Sequence, residues 1–72
     1  MLIDVSKWFG QPMKFNPDFI VAVFQAHDKP RTFCIATLTD SAEDAWRSKE
    51  FEDAKICEYE MEQFCKKIED NI

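Results

Sequence analysis

The hydrophobic and polar positions divide the chain into a short mixed N-terminal segment, two apolar runs and a long charged segment. The two runs, residues 19–26 and 31–38, are short and rich in aromatic and β-branched side chains, which predicts a β-hairpin. Pro30 lacks a backbone donor, so we place it in the turn or at the strand edge. Apolar side chains alternate onto both faces of this hairpin, so each face needs a cover. A bare two-stranded hairpin also has edges that invite pairing with another chain.

The charged segment, residues 40–70, contains neither glycine nor proline. Residues of the N-cap type stand at Thr39–Ser41, and apolar residues then recur at spacings of three and four. This pattern predicts one long helix, or two helices with a break near Ser48. Its apolar stripe is interpreted either as a core face or as a dimer seam, and it consists of Trp46, Ala54, Cys57, Met61, Phe64 and Ile68.

The length of the predicted helix has a consequence for assembly. A continuous helix over residues 40–70 would be roughly 46 Å long at about 1.5 Å per residue. A compact domain of this size is only roughly 30 Å across. An unbroken helix would therefore overhang the body, and we expect a second copy or a partner to cover the overhang.

The N-terminal segment carries weaker signals. Leu2, Val5 and Phe9 follow a helical spacing, and Gly10 then supplies a C-cap, although Ile3 and Val5 also alternate as in a strand. Residues 11–18 resemble a loop, in which 13–15 is a candidate third strand. We predict a single α+β domain over residues 1–72: a short N-terminal helix, a β-hairpin or three-stranded antiparallel sheet, and a long C-terminal helix packed on it.

Charge is unevenly distributed along the 72 residues, whose net charge is −5. The part from Asp40 onward holds 11 acidic and five basic residues, whereas the part before it holds three acidic and four basic ones. A strongly acidic surface disfavours nonspecific binding to nucleic acids and anionic membranes, because both are polyanions. Neither a signal peptide nor a membrane span is recognisable, so we expect a cytoplasmic protein.

Candidate chemistry is sparse. His27 is the only histidine and lies in the predicted turn, so neither a metal site nor a Cys–His pair can be assembled around it. Cys57 and Cys65 would stand roughly 12 Å apart on a continuous helix, too far for a disulfide. With Cys34 they are interpreted as structural thiols in a reducing compartment. We expect no enzymatic activity and no cofactor.

These observations favour a non-enzymatic protein–protein interaction module that acts as a homodimer. We also expect a further protein partner, whose identity the sequence does not give. The alternative is a small acidic inhibitor that occupies a basic or nucleic-acid-binding site on a target protein, by analogy in size and charge with small phage-encoded inhibitors. In either case we expect acidic rim residues beside an apolar anchor. The candidate partner-facing residues are Asp44, Ile56, Glu58, Tyr59, Glu62 and Glu69.

Overall fold

The computed structural model describes residues 1–71, which form a body of 34 × 23 × 20 Å. Two short strands and a short helix come first, followed by three longer strands and one long helix. In chain order the elements are β1 (Ile3–Asp4), α1 (Ser6–Phe9), β2 (Lys14–Phe15), a 3-10 turn (Pro17–Phe19), β3 (Ile20–Gln25), β4 (Phe33–Leu38), β5 (Glu43–Arg47) and α2 (Ala54–Asp70).

The main sheet is antiparallel, with the strand order β3-β4-β5. The predicted hairpin is confirmed as β3 and β4, with Val23 opposite Ile35. One irregularity, a register shift between Ile20 and Ala22, interrupts the regular pairing of β3 with β4 at Val21. Helix α2 packs on one face of this sheet, so the predicted α+β architecture is confirmed.

Both alternatives for the N-terminal segment are partly realised. Ile3–Asp4 is a strand, and Ser6–Phe9 is a helix that ends at Gly10, whose φ of 70° is left-handed and therefore suits glycine. The candidate third strand, residues 13–15, forms part of a separate two-stranded ribbon, because Lys14–Phe15 pairs with β1 and not with the hairpin.

The third strand of the main sheet comes instead from the segment predicted as helix, so that prediction was wrong for residues 40–53. Thr39 closes a turn by donating its N–H to the carbonyl of Ala42 at 2.9 Å. Strand β5 then satisfies the free edge of β4, and the indole of Trp46 donates to Thr37 Oγ1 at 3.2 Å. Pairing with β4 overrides the helix propensity of the segment, because ordinary residues differ in that propensity by only about 0–0.7 kcal/mol each.

Helix α2 begins where Asp53 accepts a hydrogen bond from the N–H of Ile56 at 2.8 Å. The connection before it is tied to the sheet, since Ser48 Oγ accepts from the N–H of Phe33 at 3.0 Å. The helix has 17 residues and is roughly 26 Å long at about 1.5 Å per residue. It therefore fits within the 34 Å body, and the predicted overhang does not exist.

The core is built around an aromatic cluster that links α1, the sheet and α2. The ring of Phe64 lies 5.2 Å from that of Trp8, edge to face, and 5.5 Å from that of Phe33. Trp8 is only 2% exposed, and its indole N–H donates to Glu60 Oε1 at 3.0 Å, so its polar atom is satisfied. The buried hydrophobic cluster comprises Ile3, Val5, Trp8, Phe15, Phe33, Ile35, Phe51, Cys57, Phe64 and Ile68.

We predict that Phe64→Ala lowers the free energy of unfolding by about 3–5 kcal/mol, because it removes the ring shared by Trp8 and Phe33 and leaves a cavity. Tyr59→Ala, at a position that is 58% exposed on the same helix, is the matched control and should change it by less than about 1 kcal/mol. Chemical denaturation followed by tryptophan fluorescence measures both. Equal losses in the two variants would show that the helix register is different.

Candidate interaction surface

The two faces of the main sheet have very different environments. Along β4, Phe33, Ile35 and Thr37 are buried on the face that carries α2, here called the inner face. The intervening Cys34, Ala36 and Leu38 point to the other side, because successive side chains in a strand alternate. Helix α2 packs on the inner face, so this second side, here called the outer face, has no helix over it.

Strand register extends the outer face across all three strands, since directly paired residues share a face. Phe24, Cys34 and Arg47 form one row; Ala22, Ala36 and Ala45 form the next; and Leu38 with Glu43 forms the third. The outer face therefore consists of Ala22, Phe24, Cys34, Ala36, Leu38, Glu43, Ala45 and Arg47.

The outer face is apolar and open to solvent. Phe24 is 51% exposed and Leu38 is 46% exposed, and Val21, at the register shift next to Ala22, is 60% exposed. Its charged members are Glu43 and Arg47, at opposite ends of β5. Single exposed apolar side chains are ordinary, but contiguous ones on one face are typical of a binding surface.

The two edges of the sheet differ in how far they invite pairing. Strand β5 carries Glu43, Asp44 and Arg47, and charges of this kind discourage edge-to-edge association. Strand β3 has no charged residue, but its register shift at Val21 disturbs the regular spacing that a long intermolecular ladder needs. The outer face is therefore the better candidate surface of the sheet.

Helix α2 presents most of the predicted partner-facing residues to solvent. Ile56 and Tyr59 are exposed, as are Glu58, Glu62 and Glu69. Advancing about 100° per residue, the three acids cluster on one flank, Tyr59 lies next to them, and Ile56 lies beyond Tyr59, away from the acids. Their role in binding stays a prediction.

Asp44 does not belong to that flank. It lies on β5, opposite Thr37, and therefore on the inner side of the sheet near the N-terminal ribbon. Trp46 is likewise on β5, where its ring packs edge to face on Phe15 at 5.5 Å. The charge and spacing of residues 40–53 predict a helix for both residues, and for them that prediction is wrong.

The remaining members of the predicted seam lie on α2 and face the protein's own sheet. Cys57, Phe64 and Ile68 are buried, while Ala54 and Met61 are half-buried. Met61 packs against the buried cluster. The helix stripe is thus occupied within the chain, which leaves the outer face of the sheet as the larger uncovered apolar surface.

The side chains with potential chemistry remain scattered. Cys34, Cys57 and Cys65 are free thiols, and no group of three potential metal ligands occurs among residues 1–71. Burial raises the pKa of the Cys57 and Cys65 thiols, and the carboxylates of Glu69 and Glu62 add to the shift at Cys65. A raised thiol pKa lowers the thiolate fraction at neutral pH and therefore the reactivity.

Sequence reasoning identified two apolar hairpin faces but did not identify the outer face as a unit. Three of its eight residues, Glu43, Ala45 and Arg47, lie on β5, in the segment predicted as helix. Residues 43–47 run polar, polar, apolar, apolar, polar, which is not the alternation of a half-buried strand, so the sequence pattern gave no strand signal there.

No known protein family, curated protein or solved structure matches this chain. Within residues 1–71, no helix has both the length and the apolar content needed to cross a membrane. Indications of function therefore come from the surfaces of the molecule itself.

We predict that the cysteines are dispensable for covalent structure. A reducing agent should leave both the melting temperature and the sedimentation behaviour unchanged, because all three thiols are free. In the folded protein Cys57 should react with an alkylating reagent much more slowly than in denaturant, owing to its burial and raised pKa. An oligomer that dissociates on reduction would instead identify an intermolecular disulfide.

Proposed function

We propose that this protein is a non-enzymatic protein–protein interaction module that acts as a homodimer and binds through the outer face of its sheet. The observation that carries the proposal is the exposure of Phe24 and Leu38 on a face that α2 does not cover. A second copy can cover this face without any further element of the chain.

Energetics favour a dimer of modest affinity. Full burial of a Phe or Leu side chain is worth about 1.5–3 kcal/mol, and a dimer buries two copies of each. Association costs an estimated 4–15 kcal/mol in lost rigid-body freedom. The gain and the cost are of the same order, so we expect weak association, with a dissociation constant no tighter than micromolar.

Charge also favours an interaction through the sheet. The acidic residues Glu58, Glu62 and Glu69 lie on α2, behind the sheet as seen from the outer face. The outer face itself carries one acid and one base, Glu43 and Arg47, which balance. A partner approaching the outer face therefore meets little of the net negative charge of −5.

We predict reversible self-association in sedimentation velocity over about 1–300 μM, the range in which a weak dimer is populated. Phe24→Lys should shift the distribution to monomer, because it places a charge among the apolar side chains of the outer face. Leu2→Lys, a matched change at an exposed position outside the outer face, should leave the distribution unchanged.

Melting curves for both lysine variants provide the folding control. A wild-type protein that sediments at 8.5 kDa throughout this range would rule out the homodimer. Dimerisation that is equally strong in the Phe24→Lys variant would exclude the outer face.

A second candidate function, the acidic inhibitor, is favoured by one specific observation. Tyr59 is exposed on α2 one turn before Glu62, and Ile56 is exposed one turn before Tyr59, so an apolar anchor adjoins acidic rim charges at Tyr59. This arrangement would complement a basic protein surface with an apolar pocket, including one that otherwise binds nucleic acid.

For this second candidate we predict that Tyr59→Ala weakens partner binding by about 1 kcal/mol or more without unfolding the protein. Replacing Glu58 and Glu62 by lysine should chiefly slow association and flatten its salt dependence. A partner isolated by pull-down from the native host allows both measurements by surface plasmon resonance. Binding that is insensitive to all three changes would remove this face of α2 from consideration.

A further inference from the structure

We infer that two copies pack outer face to outer face about a two-fold axis that runs along the row formed by Ala22, Ala36 and Ala45. This inference rests on the proposed homodimer and specifies its geometry. It follows from the pattern of side-chain size and charge on the outer face, which is nearly self-complementary about that row.

The alanine row occupies the middle of the outer face. On β4, Ala36 stands between Cys34 and Leu38, and on β5, Ala45 stands between Glu43 and Arg47. Methyl side chains at the centre allow two sheets to approach at about 10 Å or less. Larger side chains, above all Phe24 and Leu38, then close around this centre.

A two-fold axis along the alanine row exchanges the two ends of every strand. Cys34 of one copy comes to lie over the partner's Leu38, and Arg47 comes to lie over the partner's Glu43. Because the symmetry is two-fold, each contact occurs twice, as in any isologous interface. The outer-face charges at the two ends of β5 therefore form two ion pairs between the copies.

This pairing tolerates the twist of real sheets. Packed sheets are rotated by about 30° relative to one another, and Glu43 and Arg47 lie two residues, or about 7 Å, from the axis. The rotation displaces their side chains by only about 3–4 Å, which long Arg and Glu side chains can span. Arg47 has a loose pair within its own chain, Asp28 at 3.8 Å, which leaves guanidinium donors available.

The arrangement also separates the most acidic parts of the two copies. It forms four layers, in the order helix, sheet, sheet, helix, with the two α2 helices outermost and about 30 Å apart. That distance exceeds the Debye length of about 8 Å at physiological ionic strength, so repulsion between the helices is screened. Pairing through the edge of β3 about an axis perpendicular to the sheet would instead place both helices on the same side.

Charge reversal at the two ends of β5 tests this geometry. In an Asp28→Asn background, which removes the acid beside position 47, we expect Arg47→Glu and Glu43→Arg each to weaken homodimerisation by about five- to tenfold, because both ion pairs become repulsive. An equimolar mixture of the two variants should form heterodimers in excess of the random proportion, since every pair is then of opposite charge. Native mass spectrometry distinguishes the species directly by their masses.

Two controls separate contact from overall charge. Lys66→Glu and Asp70→Arg make the same net changes at exposed positions four residues apart on α2, and their mixture should show the random proportion of heterodimers. The double variant Glu43→Arg/Arg47→Glu restores both ion pairs with their direction reversed, so it should regain homodimerisation close to that of the Asp28→Asn parent.

The outcomes separate this geometry from the proposed function. If the parent protein dimerises and the β5 mixture shows the predicted excess, the two-fold arrangement is supported. If the parent dimerises but the mixture behaves as the α2 control does, this geometry is wrong while the homodimer stands. If the parent remains monomeric, the homodimer itself is refuted.

Discussion

A three-stranded sheet has two faces, and this chain has a single long helix to cover them. Helix α2 and the N-terminal segment pack on the inner face around Trp8, Phe33 and Phe64. The outer face keeps its apolar rows without a helix over them. Because uncovered apolar area is thermodynamically costly in water, the same imbalance that shapes the monomer also predicts association through the sheet.

The fold was predictable where the local sequence pattern and the tertiary packing favour the same structure. The hairpin was recognised because its β-rich runs and the turn around Pro30 favour the same structure. The C-terminal part of the helix was recognised because Cys57, Phe64 and Ile68 keep helical spacing and all face the core. In these segments local propensity, hydrophobic pattern and core packing all favour the same conformation.

Residues 40–53 were mispredicted because their structure is decided by distant partners. Their composition suits a helix, but β4 needs a second neighbour, and only pairing with Glu43–Arg47 supplies one. The N-cap residue of α2 is Asp53, which accepts a hydrogen bond from the N–H of Ile56. In the sequence nothing distinguishes Asp53 from the other acidic residues around it. A three-dimensional requirement thus overrode a local preference of small size.

The consequences for the candidate sites were mixed. Apolarity on both hairpin faces pointed to an uncovered surface, and that premise agrees with the exposure of Phe24 and Leu38. The second premise for a dimer, a helix longer than the body, is removed by the 17-residue length of α2. Asp44 and Trp46, which were predicted to lie on the helix, lie on β5. The outer face includes Glu43, Ala45 and Arg47 from the same strand.

The most direct test of the central claim is an isotope-filtered nuclear Overhauser experiment on a mixture of labelled and unlabelled protein at high concentration. Burial of the outer face between two copies predicts intermolecular contacts from the methyl group of Ala36 to that of the partner's Ala36, and from Leu38 to the partner's Cys34. Intermolecular contacts confined to α2, for example at Tyr59, or a complete absence of such contacts would contradict it.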